Sequence, residues 1–516
     1  MAAMSAPPSP ETQGHLGPLG GCRLLDAVDS RSGEFNNGAD PEIDRVRAAR
    51  AGAVSDPVAP GMAIGRAAEV LAVGKAAPSA FSREINLQKG LAGGGKGIRT
   101  LAAGRPEAAF AMERTIDLAA RTLGLEPAEV RRRNMIRADE MPYRAGIPYR
   151  DGEPIVYDGG DYPGALRNAL AAIGGIEAFR ARQRAARDHG RYLGLGIGCY
   201  VEGTGVGPFE SATVRIDPSG KIFVASGACP QGQGMETIFA QVVADTWSVD
   251  PDDVVMALAD TAAIAIGFGT IASRSTVTLS AAIHGASERL RAKVFAIAAN
   301  LLECAVGDLE LRRGGVGIVG VPGAEVSLAK LAQAARPGWD HGRPGGVEAG
   351  LEETFYYEPP TVTWSYAVHV ALLEVDIELG RVSIEKYVIA HDCGVVVNPM
   401  LVEGQIVGGA AQGIGGALFE EVNYDSEGQL LTGSFMDYMV PTACEIPDMQ
   451  LIHQHSPSPL NPLGVKGVGE GGPIAPPVVI ANAVSDALRP FMVEYNRTPV
   501  KPQQIEQAVR SASQAR

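Results

Sequence analysis

Glycine is concentrated in four clusters, and each cluster stands in or immediately before a stretch that reads as a helix. This constrains the chain more than any other feature. Glycine bends the backbone sharply and leaves it bare, so a ligand or a second segment can come close. The first cluster, Cys229 to Thr237, holds Gln231, Gly232, Gln233 and Gly234. The second, Gly267 to Ser275, ends in Ser273, Arg274 and Ser275. The third, Gly408 to Gly416, surrounds Gln412, and the fourth, Gly464 to Gly472, carries Lys466, Gly467, Gly469 and Glu470. Free N–H groups at a helix start attract phosphate. Glutamine amides add donors and acceptors, and hydroxyls beside a guanidinium suit an anion. A single cluster of this kind is more often structural. Four in one chain favour a large pyrophosphate-bearing cofactor. None fits a Walker A loop, and none has the strand and distal acid of a Rossmann fingerprint.

Charge and cysteine usage narrow the classes. Lys and Arg number 45 against 59 Asp and Glu, a net charge of −14. Nucleic acid or an anionic membrane needs a basic face, so neither is expected as the main partner. Hydrophobic residues make up 46% of the 516, enough for a sizeable core. Cys22, Cys199, Cys229, Cys304, Cys393 and Cys444 stand singly, without a CxxC pair or ferredoxin spacing. No zinc or iron–sulfur cluster is therefore expected within the chain. A reduced, cytoplasmic setting fits. The start shows no basic and apolar secretory pattern. The most apolar run, Leu401 to Phe419, is interrupted by Glu403, Gln405 and Gln412, so no membrane span is expected.

Residues 1 to about 102 show no sustained periodicity; only Ile43 to Ala51 and Ala67 to Val73 read as short helices. From Gly104 the pattern changes. Ala109, Met112, Ile116, Ala119 and Leu123 recur at helical spacing, which predicts an amphipathic helix with that apolar face inward. A second helix begins at Pro127, and its run Arg131 to Arg133 is expected on a solvated face. Three hairpin-like units follow, at 212–226, 371–389 and 418–435. Helices are predicted over Ile238 to Trp247, Val277 to Leu302, Pro399 to Leu418 behind an Asn398 cap, and Pro477 to Leu488. Strand units interleaved with helices predict an α+β fold of two intertwined lobes.

Glu470 is the most informative single residue. Glycines surround it, so its own turn offers little side-chain neighbourhood. Either it is exposed and inert, or the glycines clear space for a ligand pressed against it. A carboxylate in a dry cleft can act as a general base. The run His391, Asp392 and Cys393 reads better as a strand end than as a metal site or nucleophile, because no second His/Cys pair lies at ligand spacing. His453 and His455 sit beside a Pro/Ser loop and are expected exposed.

Taken together, these motifs are recognisable. GRPEAAFAMERTIDLAARTLGLEPAEVRRRNMI (104–136), YVEGTGVGPFESATVRIDPSGKIFVASG (200–227), QGQGMET (231–237), GTIASRS (269–275), HDCGVVVNPMLVEGQIVGGAAQGIGGALFEE (391–421) and SPLNPLGVKGVGEGGPIAPPVVIANAVSDAL (458–488) occur in one order. From about Ala103 onward the chain resembles the molybdopterin-binding large subunit of the xanthine dehydrogenase/aldehyde oxidase/carbon monoxide dehydrogenase family, in its carbon-monoxide-dehydrogenase-like branch.

The resemblance implies an oxidoreductase of that family's fold, with residues 103–165 ending a first cofactor-binding domain and 166–516 forming the second. Residues 1–102 are unmatched, apart from a hint of a family loop at Gly93 to Lys96. The implied cofactor is molybdopterin cytosine dinucleotide. It would be held by Gln231, Gly232, Gln233, Gly234, Ser273, Arg274, Ser275, Gln412, Lys466, Gly467 and Gly469, with Glu470 as catalytic base and no protein metal ligand. In that family the base takes a proton from a Mo–OH group, the oxygen attacks an electrophilic carbon, and hydride passes to a Mo=S sulfur. Electrons leave through 2Fe-2S and FAD groups, here expected in an iron–sulfur small subunit and an FAD-binding medium subunit, assembled as a dimer of heterotrimers. The implied substrate is an aldehyde or N-heterocycle. Leu101 replaces the family's loop arginine and no copper-holding cysteine is present, which points away from carbon monoxide. Met235 stands where the family commonly has His. The competing expectation is a non-catalytic homologue that only associates with partner subunits.

Overall fold

The computed structural model describes residues 104–149, 152–338 and 342–514. The expectations for residues 1–102 lie outside them. Helix α1 (Arg105–Thr122) and helix α2 (Pro127–Asn134) begin near their prolines, as predicted. The inner face of α1 is not the predicted one. Ala109, Met112, Ile116, Ala119 and Leu123 are half-buried, whereas Glu113, Arg114, Asp117 and Ala120 are buried. The reason is Arg131, which α2 delivers into that face. Its Nε donates to Glu113 at 2.7 Å and its Nη1 to Asp117 at 2.7 Å, while Nη2 reaches the carbonyl of Ile197. The predicted solvated run of arginines is therefore split. Arg132 and Arg133 are exposed and pair with Glu129, but Arg131 is only 3% exposed, because successive helical residues point in different directions.

The chain continues through β1 (Tyr143–Pro148), β2 (Pro154–Tyr157), α3 (Tyr162–Ala172), α4 (Ile176–Arg187) and β3 (Tyr192–Thr204). Next come β4 (Glu210–Ile216), β5 (Ile222–Ser226), α5 (Met235–Trp247), β6 (Val254–Leu258) and the long α6 (Ser275–Leu302). A small sheet, β7 (Leu309–Arg312), β8 (Gly315–Ile318) and β9 (Glu325–Ser327), precedes α7 (Leu328–Ala334). The remainder is β10 (Glu352–Tyr357), β11 (Thr363–Asp376), β12 (Arg381–Asp392), α8 (Pro399–Leu418), β13 (Met449–Gln454), α9 (Pro476–Ala487) and α10 (Pro502–Gln514). The four helices predicted after residue 237 are all present. Asn398 caps α8 as expected, accepting from the Leu401 N–H at 3.1 Å. Among the described residues no helix is long and apolar enough to cross a membrane.

Two four-stranded sheets organise two lobes, in the orders β10-β4-β5-β6 and β3-β11-β12-β13. They share one plan. An outer strand lies antiparallel to a hairpin, and the second hairpin strand is parallel to a strand reached through a helix, β5-α5-β6 in one lobe and β12-α8-β13 in the other. The outer strands are exchanged. β3 leads into β4 but pairs with β11, and β10 leads towards β11 but pairs with β4. This exchange realises the predicted intertwined α+β lobes. In the first lobe Val214, Ile222, Phe239, Trp247 and Leu290 pack together; in the second, α9 lies on β3 and β11. α9 lies almost flush on β3, because a Cβ at Gly194 or Gly196 would stand 1.9 Å from a carbonyl oxygen of α9.

The hairpins at 212–226 and 371–389 form as predicted. The third, 418–435, does not; only an isolated bridge joins Tyr424 to Leu430. Val422, Tyr424, Leu431, Phe435 and Met436 are exposed, so no buried face supports a ladder there, and a two-stranded ribbon without one is marginal.

Arg131 generates a stability prediction. Arg131→Ala leaves Glu113 and Asp117 buried without their cation and should cost about 3–5 kcal/mol, read as a lowered denaturant midpoint. Arg132→Ala, on the exposed side, should stay within about 0.5 kcal/mol. Equal effects would refute the buried network.

Candidate active site

One loop from each lobe comes to the end of β3. They are the segments before α6 (259–274) and before α9 (455–475). At Gly467 the approach is backbone to backbone: a Cβ there would lie 2.0 Å from the Ser273 carbonyl oxygen, so only glycine fits. The Gly467 N–H donates to Thr204 at 2.9 Å. Ala272 and Ser273 both hold left-handed backbone, with φ of 50° and 51°. That conformation is strained for residues with side chains and tends to persist at functional sites. Here it points two groups at Glu470. The Ala272 N–H donates to Glu470 Oε1 at 3.0 Å, and the Glu470 N–H donates to Ser273 Oγ at 2.9 Å. Glu470 is thus the acid pressed among glycines, with its side chain 18% exposed, rather than one standing in bulk water.

Two charged partners of Glu470 escaped the sequence reading. Arg105, the first residue of α1, puts Nη1 on Glu470 Oε2 at 2.9 Å and also on Glu202; its Nη2 donates to the Gly203 carbonyl at 3.0 Å. Glu202 lies on β3 with its side chain fully buried. The hydroxyls of Ser273 and Ser365 donate to it at 3.3 and 3.4 Å. Burial pushes its carboxyl up to about 7; Arg105 opposes the rise and Glu470 adds to it. Signals for both were present. Glu202 is the single charged residue in an otherwise apolar and glycine-rich strand. Arg105 is a cation at a helix N-terminus, where the helix dipole disfavours one.

The first glycine cluster is tied to the second through Thr270, also missed. Thr270 Oγ1 accepts from the Cys229 N–H at 2.8 Å, and the Ser275 hydroxyl donates to it at 3.2 Å. Gln231 and Gly232 are exposed; Gln233 and Gly234 are half-buried at the start of α5. Gly232 and Gly269 have positive φ and open space where a Cβ would be, which makes a bare backbone cradle beside the Glu470 loop. Ile266, Phe268 and Ile271 leave apolar side chains exposed along the same segment.

Other predicted residues occupy different positions. The Arg274 guanidinium is buried and saturated by Glu210 at 2.8 Å and by the carbonyls of Val206, Phe209 and Gly269, so it shapes the loop and offers no free charge. Lys466 is turned into the second lobe, with Asp392 at 3.3 Å and the Gly159 carbonyl at 3.2 Å. The third glycine cluster lies inside α8. Gly409 and Gly413 receive Pro473 and Pro476 there, each 2.8 Å from an ideal Cβ, and their neighbour Gln412 is exposed. Gln405, on the same helix, is the one beside Gly469. His391, Asp392 and Cys393 form a strand end as expected, and His453 and His455 are exposed.

The arrangement suits a cofactor held by backbone. Bare backbone and hydroxyls line the loops, and the second glycine cluster lies between the first and the carboxylate. Among the described residues no cluster of His, Cys, Asp or Glu is placed to hold a metal ion directly. A metal here would need an organic ligand gripped by backbone.

Known proteins resemble the chain over most of the described residues. A molybdopterin cofactor-binding domain profile matches residues 169–447, and a second profile of the same description matches residues 100–135. The nicotine 6-hydroxylase large subunit of Paenarthrobacter nicotinovorans is 36% identical over 414 residues, covering 78% of this chain and 49% of that protein. The carbon monoxide dehydrogenase large chain of Afipia carboxidovorans is 34% identical over 398 residues, 74% of this chain and 48% of its own length. Quinoline 2-oxidoreductase from Pseudomonas putida 86 superimposes with a TM-score of 0.72 at 38% identity, over 79% of this chain and 52% of that one. The chain spans about half the length of the curated relatives it matches. It belongs to the family of molybdopterin-binding large subunits that includes xanthine dehydrogenase and carbon monoxide dehydrogenase, and corresponds to their carboxy-terminal part.

Proposed function

We propose that this chain carries the base-bearing part of a molybdenum hydroxylase site, with Glu470 as the base and an electrophilic carbon of an N-heterocycle or aldehyde as the target. The observation that carries this is the position of Glu470, fixed where the loops of both lobes converge. Two relatives whose names denote N-heterocycles, nicotine and quinoline, favour that substrate class over carbon monoxide.

Residues 103–165 would end a first cofactor-binding domain and 166–516 form the second. Gln231 to Gly234, Ser273, Ser275, Gly469 and Gln412 would hold molybdopterin cytosine dinucleotide; Arg274, Lys466 and Gly467 would keep the loops in shape from behind. Bound there, the cofactor supplies a two-electron oxidation that adds an oxygen from water to the carbon. The protein's part is the proton. The Ala272 N–H and Arg105 hold the two Glu470 oxygens in fixed directions, and the partly exposed carboxylate can still accept a proton. The designation of the relatives as large subunits or chains supports partner subunits; in this reading they are iron–sulfur and FAD-binding subunits in the cytoplasm, which would take the electrons.

Two outcomes follow. Glu470→Gln should fold and keep its molybdenum while turnover drops by about 10²–10⁴-fold, the usual share of a general base; wild-type turnover would remove Glu470 from the role. The complex purified through this chain should contain molybdenum by mass spectrometry and a cytosine nucleotide by chromatography. A complex with neither would overturn the cofactor assignment.

A further inference from the structure

We infer that Glu202 is a positioning residue for Glu470, a buried second carboxylate that anchors Arg105 and shares one proton with the base; this presupposes Glu470 as the base. Two routes join the acids. Both place an oxygen on the same nitrogen, Nη1 of Arg105. Ser273 Oγ accepts from the Glu470 N–H and donates to Glu202 Oε1, so one hydroxyl touches both residues. Among the described residues, the other ionisable groups facing the cluster are the phenols of Tyr200, on the same strand, and Tyr149, beside Arg105.

The charges do not balance. Two carboxylates, one of them fully buried and the other largely so, face one guanidinium, leaving a surplus negative charge that a single proton relieves. Burial, opposed by Arg105 and reinforced by Glu470, holds the Glu202 carboxyl near neutrality in the same sense. When Glu470 takes up a proton, Glu202 remains as the counter-charge of Arg105, and the guanidinium has no reason to swing away. When Glu470 releases it, the same contacts re-form without rearrangement. Stability alone does not account for a carboxylate here, because an apolar residue of similar volume would spare its desolvation.

Two measurements on the full chain test this. Infrared titration of the cofactor-free protein should show a protonated carboxyl band persisting towards neutral pH. In Glu470→Gln that band should move to lower pH, because the neighbouring negative charge is gone and Arg105 belongs to Glu202 alone. In the loaded complex, Glu202→Gln should shift the acidic limb of the kcat/KM profile down by about one pH unit. Glu202→Asp keeps the charge, so it should retain the wild-type limb with reduced kcat. A band that stays in place in Glu470→Gln, or a limb unmoved in Glu202→Gln, overturns the shared proton. The infrared shift is read without turnover. Activity surviving in Glu470→Gln would instead defeat the assignment of the base, so the two failures are separable.

Discussion

The two lobes touch where Gly467 lies against Ser273, and the candidate site is built around that contact. A side chain at 467 would separate the loops by the width of a carbon atom. Glu470, three residues on, would then lose the Ala272 N–H and the Ser273 hydroxyl that orient it. The left-handed backbone at Ala272 and Ser273 is tied down beside that contact, since the Ser273 carbonyl accepts from the Gly205 N–H and the Ala272 N–H donates to Glu470. Local strain of this kind survives only where surrounding structure over-determines it.

The exchange of outer strands explains why such a contact can be exact in position. β3 belongs to the second sheet but leads directly into the first, so its end, with Glu202 and Thr204, is shared by both lobes. The alternating glycines of β3 let α9 sit against the strand, and α9 carries the Glu470 loop at its entrance. Distances at the site are therefore set by sheet and helix rather than by loop length.

Buried cations do much of the holding. Arg131, Arg274 and Lys466 are each enclosed with carboxylates and carbonyls, so their charges are taken up within the protein. Breaking one partner of such a pair is costly because the other remains buried and charged. Two of these three, Arg274 and Lys466, stand inside glycine-rich motifs, where their side chains hold the loop in shape.

Periodicity and punctuation along the chain were enough to place the helices after residue 237, two of three hairpins, the intertwined α+β plan and the glycine clusters, because these depend on neighbours a few residues apart. The glycine surroundings of Glu470 were legible for the same reason: they are adjacent in sequence. Other features depended on partners far along the chain. Arg105 meets Glu202 and Glu470 across 97 and 365 residues, and the inner face of α1 turned out charged because Arg131 arrived to satisfy it. The 418–435 segment alternates like a hairpin, yet no buried face lies beneath it to hold one. Sequence spacing encodes local geometry, whereas the pairing of buried charges is decided only when distant segments exclude water together.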